Sequence, residues 1–249
     1  MADSDKVPDA PQRIHKILSA HGAASRREAE RMIQSGRVTV NNLPATIGQS
    51  ACPERDEIAI DGVLLAPIGE LVYIMLNKPR GYITTAKDDR GRKTVMELVA
   101  GAGARLYPVG RLDMDTEGLL LLTNDGRFAN AVAHPSFEKK KTYEVHVHGD
   151  APGAADMLRK PMEVDSHPVH AASVTVKERK ADGGILHITI NEGRNRQVRK
   201  MCESCGLKVL SLKRLSIGTV QLGALGTGKW RHLTENERRA LCGSNCTKV

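Results

Sequence analysis

Apolar residues recur at helical spacing in only a few short stretches of this chain, and elsewhere they alternate or run together as strands do. Ile14, Ile17 and Leu18 predict a short helix over Arg13 to His21, stopped by Gly22. Ser25 and Glu28 form the spacing of a capping box, so a second helix is expected to about Ser35, closed by Gly36. Arg37-Val38-Thr39-Val40-Asn41 then alternates as a strand, with another around Asp56 to Ile60 before the turn at Asp61-Gly62. The N-terminal stretch therefore reads as helix, helix, hairpin, and the following segment to about Glu70, with Pro67 and Gly69, reads as a linker.

Beyond it the pattern changes. Leu71 to Leu76 is an apolar strand, Thr94 to Val99 a short helix, and Gly118 to Thr123 an apolar run that fits a buried strand. Asn124-Asp125-Gly126 opens a helix that must stop before Pro135. Thr142 to His148 and Ile185 to Asn191 alternate as strands, a basic helix spans about Asn195 to Cys205 before Gly206, and Val209 to Leu215 is a further strand. Strands outnumber helices and the connections are too short for a doubly wound parallel sheet, so the fold class is α+β.

A length of 249 residues accommodates a small domain followed by a medium one. The 37 Lys and Arg against 29 Asp and Glu give a net charge of +8, which favours a polyanionic partner. Aromatic residues make up only 3% of the chain, which argues against a sheet that stacks several bases and leaves recognition to Arg and Lys. Met-Ala-Asp-Ser-Asp at the N-terminus lacks the basic start and apolar run of a signal peptide, and no apolar run is long enough to cross a bilayer, so a cytoplasmic location without membrane contact is expected.

Five cysteines, Cys52, Cys202, Cys205, Cys242 and Cys246, form no disulfide framework. Cys202 and Cys205 extend the apolar stripe of Val198 and Met201, which makes them core residues rather than zinc ligands. His146 and His148 share one strand face and read as surface or cleft lining. No metal is expected, and the lack of a phosphate-cradling glycine loop with its lysine implies no nucleotide cofactor.

Two segments carry candidate chemistry. Arg13, Lys16, Arg26, Arg27, Arg31 and Arg37 face only Glu28 and Glu30, which suits either a phosphate-binding face or a solvated helical surface. Gly110-Arg111-Leu112-Asp113-Met114-Asp115-Thr116-Glu117-Gly118 places an Asp at the end of a tight loop before a buried strand. There Asp113 could be a nucleophile, Asp113 and Asp115 could cap turn amides, or the pair could hold a divalent cation. Glycoside hydrolysis would need a second acid on the opposite face, and Asp115 lies too near in sequence.

Residues Ser25 to Asn41 resemble an S4-type RNA-binding domain, over about fifty residues. Arg111-Leu112-Asp113 in its string resembles the signature of the RsuA/RluB/RluE/RluF family of ribosomal RNA pseudouridine synthases. Asn77-Lys78-Pro79-Arg80-Gly81, Lys141-Thr142-Tyr143, Glu192 to Met201, and Leu210-x-Leu212-x-Arg214 agree in order. The resemblance spans about residues 71–235 and implies a catalytic domain with a mixed, mainly antiparallel sheet and a central cleft. It also implies Asp113 as nucleophile, Tyr143 against the target base, and Arg199 paired with Asp113. Arg111, Arg196, Lys200 and Arg214 join the N-terminal cations as the expected RNA-binding set, with Arg196, Arg199 and Lys200 on one helical face.

The organisation expected is thus a disordered 1–11, an S4-type domain over 12–65, a linker over 66–70, a catalytic domain over 71–235 and a tail over 236–249. The implied activity is isomerisation of a uridine in ribosomal RNA by base flipping, C–N cleavage and C5–C1′ bond formation, without metal or cofactor. His134-Pro135-Ser136 with Lys141-Thr142-Tyr143 leans towards the large-subunit, RluB-like branch. The partner would be ribosomal RNA or a pre-ribosomal particle, met by a monomer. The alternative is a non-catalytic RNA-binding or ribosome-assembly protein of the same fold.

Overall fold

The computed structural model describes residues 10–243. Of the stretch expected to be disordered, residues 1–9 lie outside the described residues, as does Cys246 of the C-terminal tail. The chain divides into two compact units, Met1–Leu71 and Val72–Val249.

The first unit runs β1 (Gln12–Arg13), α1 (Ile14–Ala20), α2 (Arg26–Gln34), β2 (Val38–Val40), β3 (Leu43–Pro44), β4 (Ser50–Ala51), β5 (Ile58–Ile60) and β6 (Val63–Leu64). Strands β3-β2-β5-β6 form an antiparallel sheet, and β1 pairs with β4. The apolar stripe works as the spacing predicts, because Ile14, Ile17 and Leu18 of α1 and Ala29, Met32 and Ile33 of α2 are buried in one core with Val38, Val40 and Ile58. Only half of the expected capping box forms. The Ser25 hydroxyl accepts from Glu28 N–H, but the Glu28 carboxylate turns to Arg31 at 3.4 Å.

The second unit contains β7 (Tyr73–Lys78), α3 (Val95–Leu98), β8 (Tyr107–Val109), β9 (Glu117–Thr123), α4 (Gly126–Ala133), β10 (Lys141–His148) and α5 (Ala151–Leu158). It continues through β11 (Met162–Val164), β12 (His167–Val169), β13 (Ser173–Lys180), β14 (Gly183–Ile190), α6 (Gln197–Ser204), β15 (Lys208–Ile217), β16 (Val220–Gln221), β17 (Trp230–His232) and α7 (Glu235–Cys242). The main sheet has the order β13-β14-β10-β15-β9-β7-β17, with β8 on β9 and β16 on β15. Its strands pair antiparallel except at the centre, where β15 and β9 run parallel. The α+β class with a mixed, mainly antiparallel sheet is the observed architecture.

Strand β9 explains its own unbroken leucine run. Leu120 and Leu122 enter a core with α3, α5 and α6, whereas Leu119 and Leu121 enter a second core with α4 and α7, so the strand is buried on both faces. Its first turn needs glycine at Gly118, which has φ 102° and lies so close to β15 that a Cβ would stand 2.3 Å from the Arg214 carbonyl oxygen. That close approach joins the two halves of the sheet at the end where the Asp113 loop enters.

The polypeptide does not become a tail at residue 236. Thr234 and Glu237 form a capping box that opens α7, and Leu241 is fully buried against the α4 side of the sheet. Arg231 of β17 grips the Glu237 carboxylate through both terminal nitrogens, at 2.8 and 2.7 Å, and holds its acid near 2.

Candidate active site

Asp113 sits in a loop whose main chain is fixed at every carbonyl from Leu112 to Thr116. Thr84 Oγ1 donates to Leu112 O at 2.7 Å and accepts from Leu112 N–H at 3.2 Å. The Lys78 ammonium, on the last residue of β7, donates to the carbonyls of Pro79, Asp113 and Thr116 at 3.0, 3.0 and 2.9 Å. Gly81 N–H holds Met114 O at 2.8 Å. Arg80 Nε and Arg199 Nη2 hold Asp115 O at 3.2 and 2.9 Å. Lys78 is fully buried, and burial pushes its ammonium down to about 8 against the pull of Asp115, Asp113 and Glu117. Sequence reasoning placed Lys78 in a motif without giving it a role. The signal was a lone cation at the end of the apolar run Tyr73 to Leu76.

The Asp113 side chain contrasts with its main chain. Its carboxylate is 36% exposed, and among the described residues its nearest cation is Arg196 Nη1 at 3.8 Å. No turn amide hydrogen bonds to it among the described residues, so Asp113 does not cap the turn, whereas the Asp115 carboxylate does take a backbone hydrogen bond, from its own residue. The second carboxylate of the loop is occupied. Arg196 clasps Asp115 with two bonds of 3.1 Å, and Arg199 Nη2 approaches its Oδ2 at 3.3 Å. Burial works to raise the Asp115 carboxyl, but the Arg196 hydrogen bonds and the Arg199 charge override it and hold it below the ordinary value.

The arginines are therefore arranged differently from the expectation. Arg199 pairs with Asp115, not Asp113, and is 95% buried behind the loop, where burial pulls its guanidinium down despite the Asp115 charge. Helix α6 begins at Gln197, so Arg196 is its N-cap and adopts a left-handed conformation (φ 50°, ψ 29°) that turns its side chain from the helical face of Arg199. Gln197 braces this turn by accepting from Arg194 N–H at 3.0 Å. Lys200 leaves the cleft altogether and pairs with Asp165 in the β11–β12 turn.

Asp113, Tyr143, Arg111, Arg196 and Arg214 line one cleft of about 460 Å³. Tyr143 on β10 is 7% exposed and stands in register with Arg214 on β15. Arg214 is buried rather than surface-facing, with Nε donating to Leu119 O at 2.8 Å and Nη2 lacking a protein partner among the described residues. Lys141 also lines the cleft, and burial, with Arg214 adding, pushes its ammonium down to about 8. In the first unit Arg13, Lys16, Arg26, Arg27, Arg31 and Arg37 are all exposed, but Arg31 is paired with Glu28 and Arg37 with Asp61. The cysteines of α6 pack as core residues, with the Cys202 thiol pushed up to about 12 by burial.

The sequence of the second unit matches the RNA pseudouridylate synthase family over residues 72–204, and that of the first unit matches the S4 domain over residues 12–58. The chain is 42% identical to the ribosomal large subunit pseudouridine synthase B of Bacillus subtilis, covering 92% of this chain and 95% of that protein. It is 36% identical to the dual-specificity RNA pseudouridine synthase RluF of Escherichia coli K12, covering 93% of this chain and 78% of that protein. A crystal structure of a pseudouridylate synthase is similar at 30% identity with a TM-score of 0.63, over 92% of this chain and 99% of that one.

Proposed function

This chain belongs to the RNA pseudouridylate synthase family and is a pseudouridine synthase with an N-terminal S4 domain, and from that premise we propose that it isomerises one uridine of large-subunit ribosomal RNA, with Asp113 as nucleophile. The observation that carries the assignment of Asp113 is the contrast within its loop: five successive carbonyls are tied down while this one carboxylate is left open to the cleft. Such rigidity preorganises a nucleophile without consuming its lone pairs.

The proposed reaction starts with the uridine flipped into the cleft, at a cost of a few kcal/mol that base contacts with Tyr143 and phosphate contacts offset. Asp113 attacks uracil C6 or ribose C1′, the N1–C1′ bond breaks, the base turns, C5 bonds to C1′, and the bond to Asp113 breaks to regenerate the free carboxylate. N1 gains a proton and C5 loses one, so atoms and electrons balance within the nucleoside and no redox partner, metal or cofactor is needed. Arg196 lies nearest the attacking carboxylate, whereas Arg199 acts through Asp115 as a positioning residue. The exposed cations of the S4 unit serve phosphate contacts. The partner in this reading is ribosomal RNA or a pre-ribosomal particle, met in the cytoplasm by a monomer. No helix among the described residues is long and apolar enough to cross a membrane.

The large-subunit preference rests on the Bacillus subtilis relative and on the His134-Pro135-Ser136 and Lys141-Thr142-Tyr143 segments. Mapping pseudouridine in ribosomal RNA from a strain lacking this gene should show one large-subunit site missing, restored by the wild-type gene and not by Asp113→Asn. A site missing only from small-subunit RNA would refute the preference.

The pH profile offers a separate check. Above pH about 8 Lys78 keeps only two protons for three carbonyls, so kcat is expected to fall with an apparent pKa of about 8. Stability should not fall with it. The folded-state value of about 8 lies below the ordinary 10.5, so the unfolded chain holds more protons between them and this group favours folding increasingly as pH rises. A kcat that stays flat from pH 7.5 to about 9.5 would remove Lys78 from the mechanism.

A further inference from the structure

Residues 84–93 form a closed loop beside the Asp113 loop, and no RNA-binding role was expected of them. Its neck is fastened where Ile83 N–H donates to Lys93 O at 2.9 Å and Val95 N–H donates to Ile83 O at 3.0 Å. Its interior is set by Asp88, whose side chain is only 6% exposed. The carboxylate accepts from Arg90 N–H at 3.1 Å and Arg92 N–H at 2.8 Å, and it binds the Arg92 guanidinium at 2.7 Å. These bonds hold the Asp88 acid near 2, so the turn stays closed across the working pH range.

The loop and the Asp113 loop enclose a groove of about 610 Å³ lined in part by Lys87, Arg90, Arg92, Arg111, Asp113 and Asn195. The cations in it are unequally committed. Arg92 is spent on Asp88, and Lys87 stands 3.5 Å from Asp89 with both side chains 87% exposed, a pair that contributes little in water. Arg90 and Arg111 are exposed and make no ion pair among the described residues. Thr84 at the base of the loop is bonded to Leu112, so the groove and the nucleophile's main chain form one hydrogen-bonded body.

We infer that this groove is an RNA subsite that seats the phosphodiester backbone flanking the target uridine, with Arg90 and Arg111 as its anion-binding side chains. The inference rests on the pseudouridine synthase reading and adds to it a contact surface separate from the S4 unit. A phosphodiester fits because two guanidiniums that make no ion pair among the described residues offer planar donors to phosphate oxygens on a preordered rim, and because Arg111, Asp113 and Asn195 border both the cleft and the groove, which makes the two continuous for a strand whose base is flipped. Asp88 then acts as a positioning residue: it shapes the turn that presents Arg90.

The test measures binding of a large-subunit ribosomal RNA transcript to the full chain as a function of salt, alongside tritium release from C5-labelled uridine in the same RNA. Arg90→Gln and Arg111→Gln should each raise Kd about tenfold, and each should lower the salt slope by about 0.7 to 0.9. For Arg90→Gln, which lies outside the catalytic cleft, KM should rise with Kd while kcat changes less than about twofold, and Arg90→Lys should recover part of the affinity because it keeps the charge. Both side chains are exposed, so thermal midpoints should match wild type. Unchanged Kd and salt slope in the double Gln variant would overturn the subsite. A wild-type chain that binds the transcript but releases no label would instead count against the catalytic reading, with the binding arm still deciding the groove.

Discussion

Asp113→Asn is expected to lower tritium release from C5-labelled uridine in ribosomal RNA by about four orders of magnitude or more, while moving the thermal midpoint by less than about 2 °C. The two halves of that expectation come from different atoms of one residue. The carbonyl oxygen of Asp113 accepts from Lys78 and from Thr116 N–H, and Asn keeps both bonds. The carboxylate is 36% exposed with one cation at 3.8 Å, so neutralising it leaves little unsatisfied in the folded state. Removing a negative charge from a basic cleft should also leave RNA affinity equal or higher. A variant that releases label at the wild-type rate would show that Asp113 is not the nucleophile, and the roles proposed for Arg196 and Tyr143 would fall with it.

The same division between main chain and side chain marks what sequence could and could not reveal. Strand β9 was legible because burial on both faces demands an unbroken apolar run, and Leu119 to Leu122 supply one. The helices of the first unit were legible from their caps and apolar stripes. Helix α5 was not, because Ala151-Pro152-Gly153 opens it with two residues that read as loop, and only Asp150 accepting from Gly153 N–H reveals the cap. Strand β13 escaped because it is an edge strand whose last four residues, Lys177 to Lys180, are exposed and charged. Helix α7 carried its signal openly in Thr234-Glu235-Asn236-Glu237, and a tail was expected there instead.

At the site, sequence order brought Asp113, Tyr143 and the arginines of the Glu192 to Met201 segment into view, but not their pairing. Spacing places Arg196 and Arg199 on one helical face only if the helix already includes residue 196. The left-handed conformation of Arg196 breaks that rule, so one arginine faces the cleft and the other braces Asp115 from behind. Backbone conformation of this kind is set by tertiary contacts and has no local sequence signature.

Lys78→Met is expected to destabilise the fold by about 2 to 4 kcal/mol and to lower kcat by about two orders of magnitude. Methionine fills nearly the same volume, so the loss does not come from a cavity. It comes from two carbonyls, of Pro79 and Thr116, for which no other hydrogen-bond donor appears among the described residues; Asp113 O retains Thr116 N–H at 3.1 Å. Each unsatisfied acceptor costs about 1 to 3 kcal/mol, and relief from burying an ammonium offsets part of the sum. Without the ammonium that ties Asp113 O to Thr116 O, the loop fixes less closely where the Asp113 carboxylate points, and a displacement near 1 Å is enough for a hundredfold loss of rate. The ratio of the two effects separates this residue from Asp113, since Asp113→Asn removes chemistry at constant stability and Lys78→Met should remove both. Urea unfolding and single-turnover rates measured on the same preparations decide it: full stability with lost activity would make Lys78 a participant in the reaction, and full activity would show that the loop holds its shape without the ammonium.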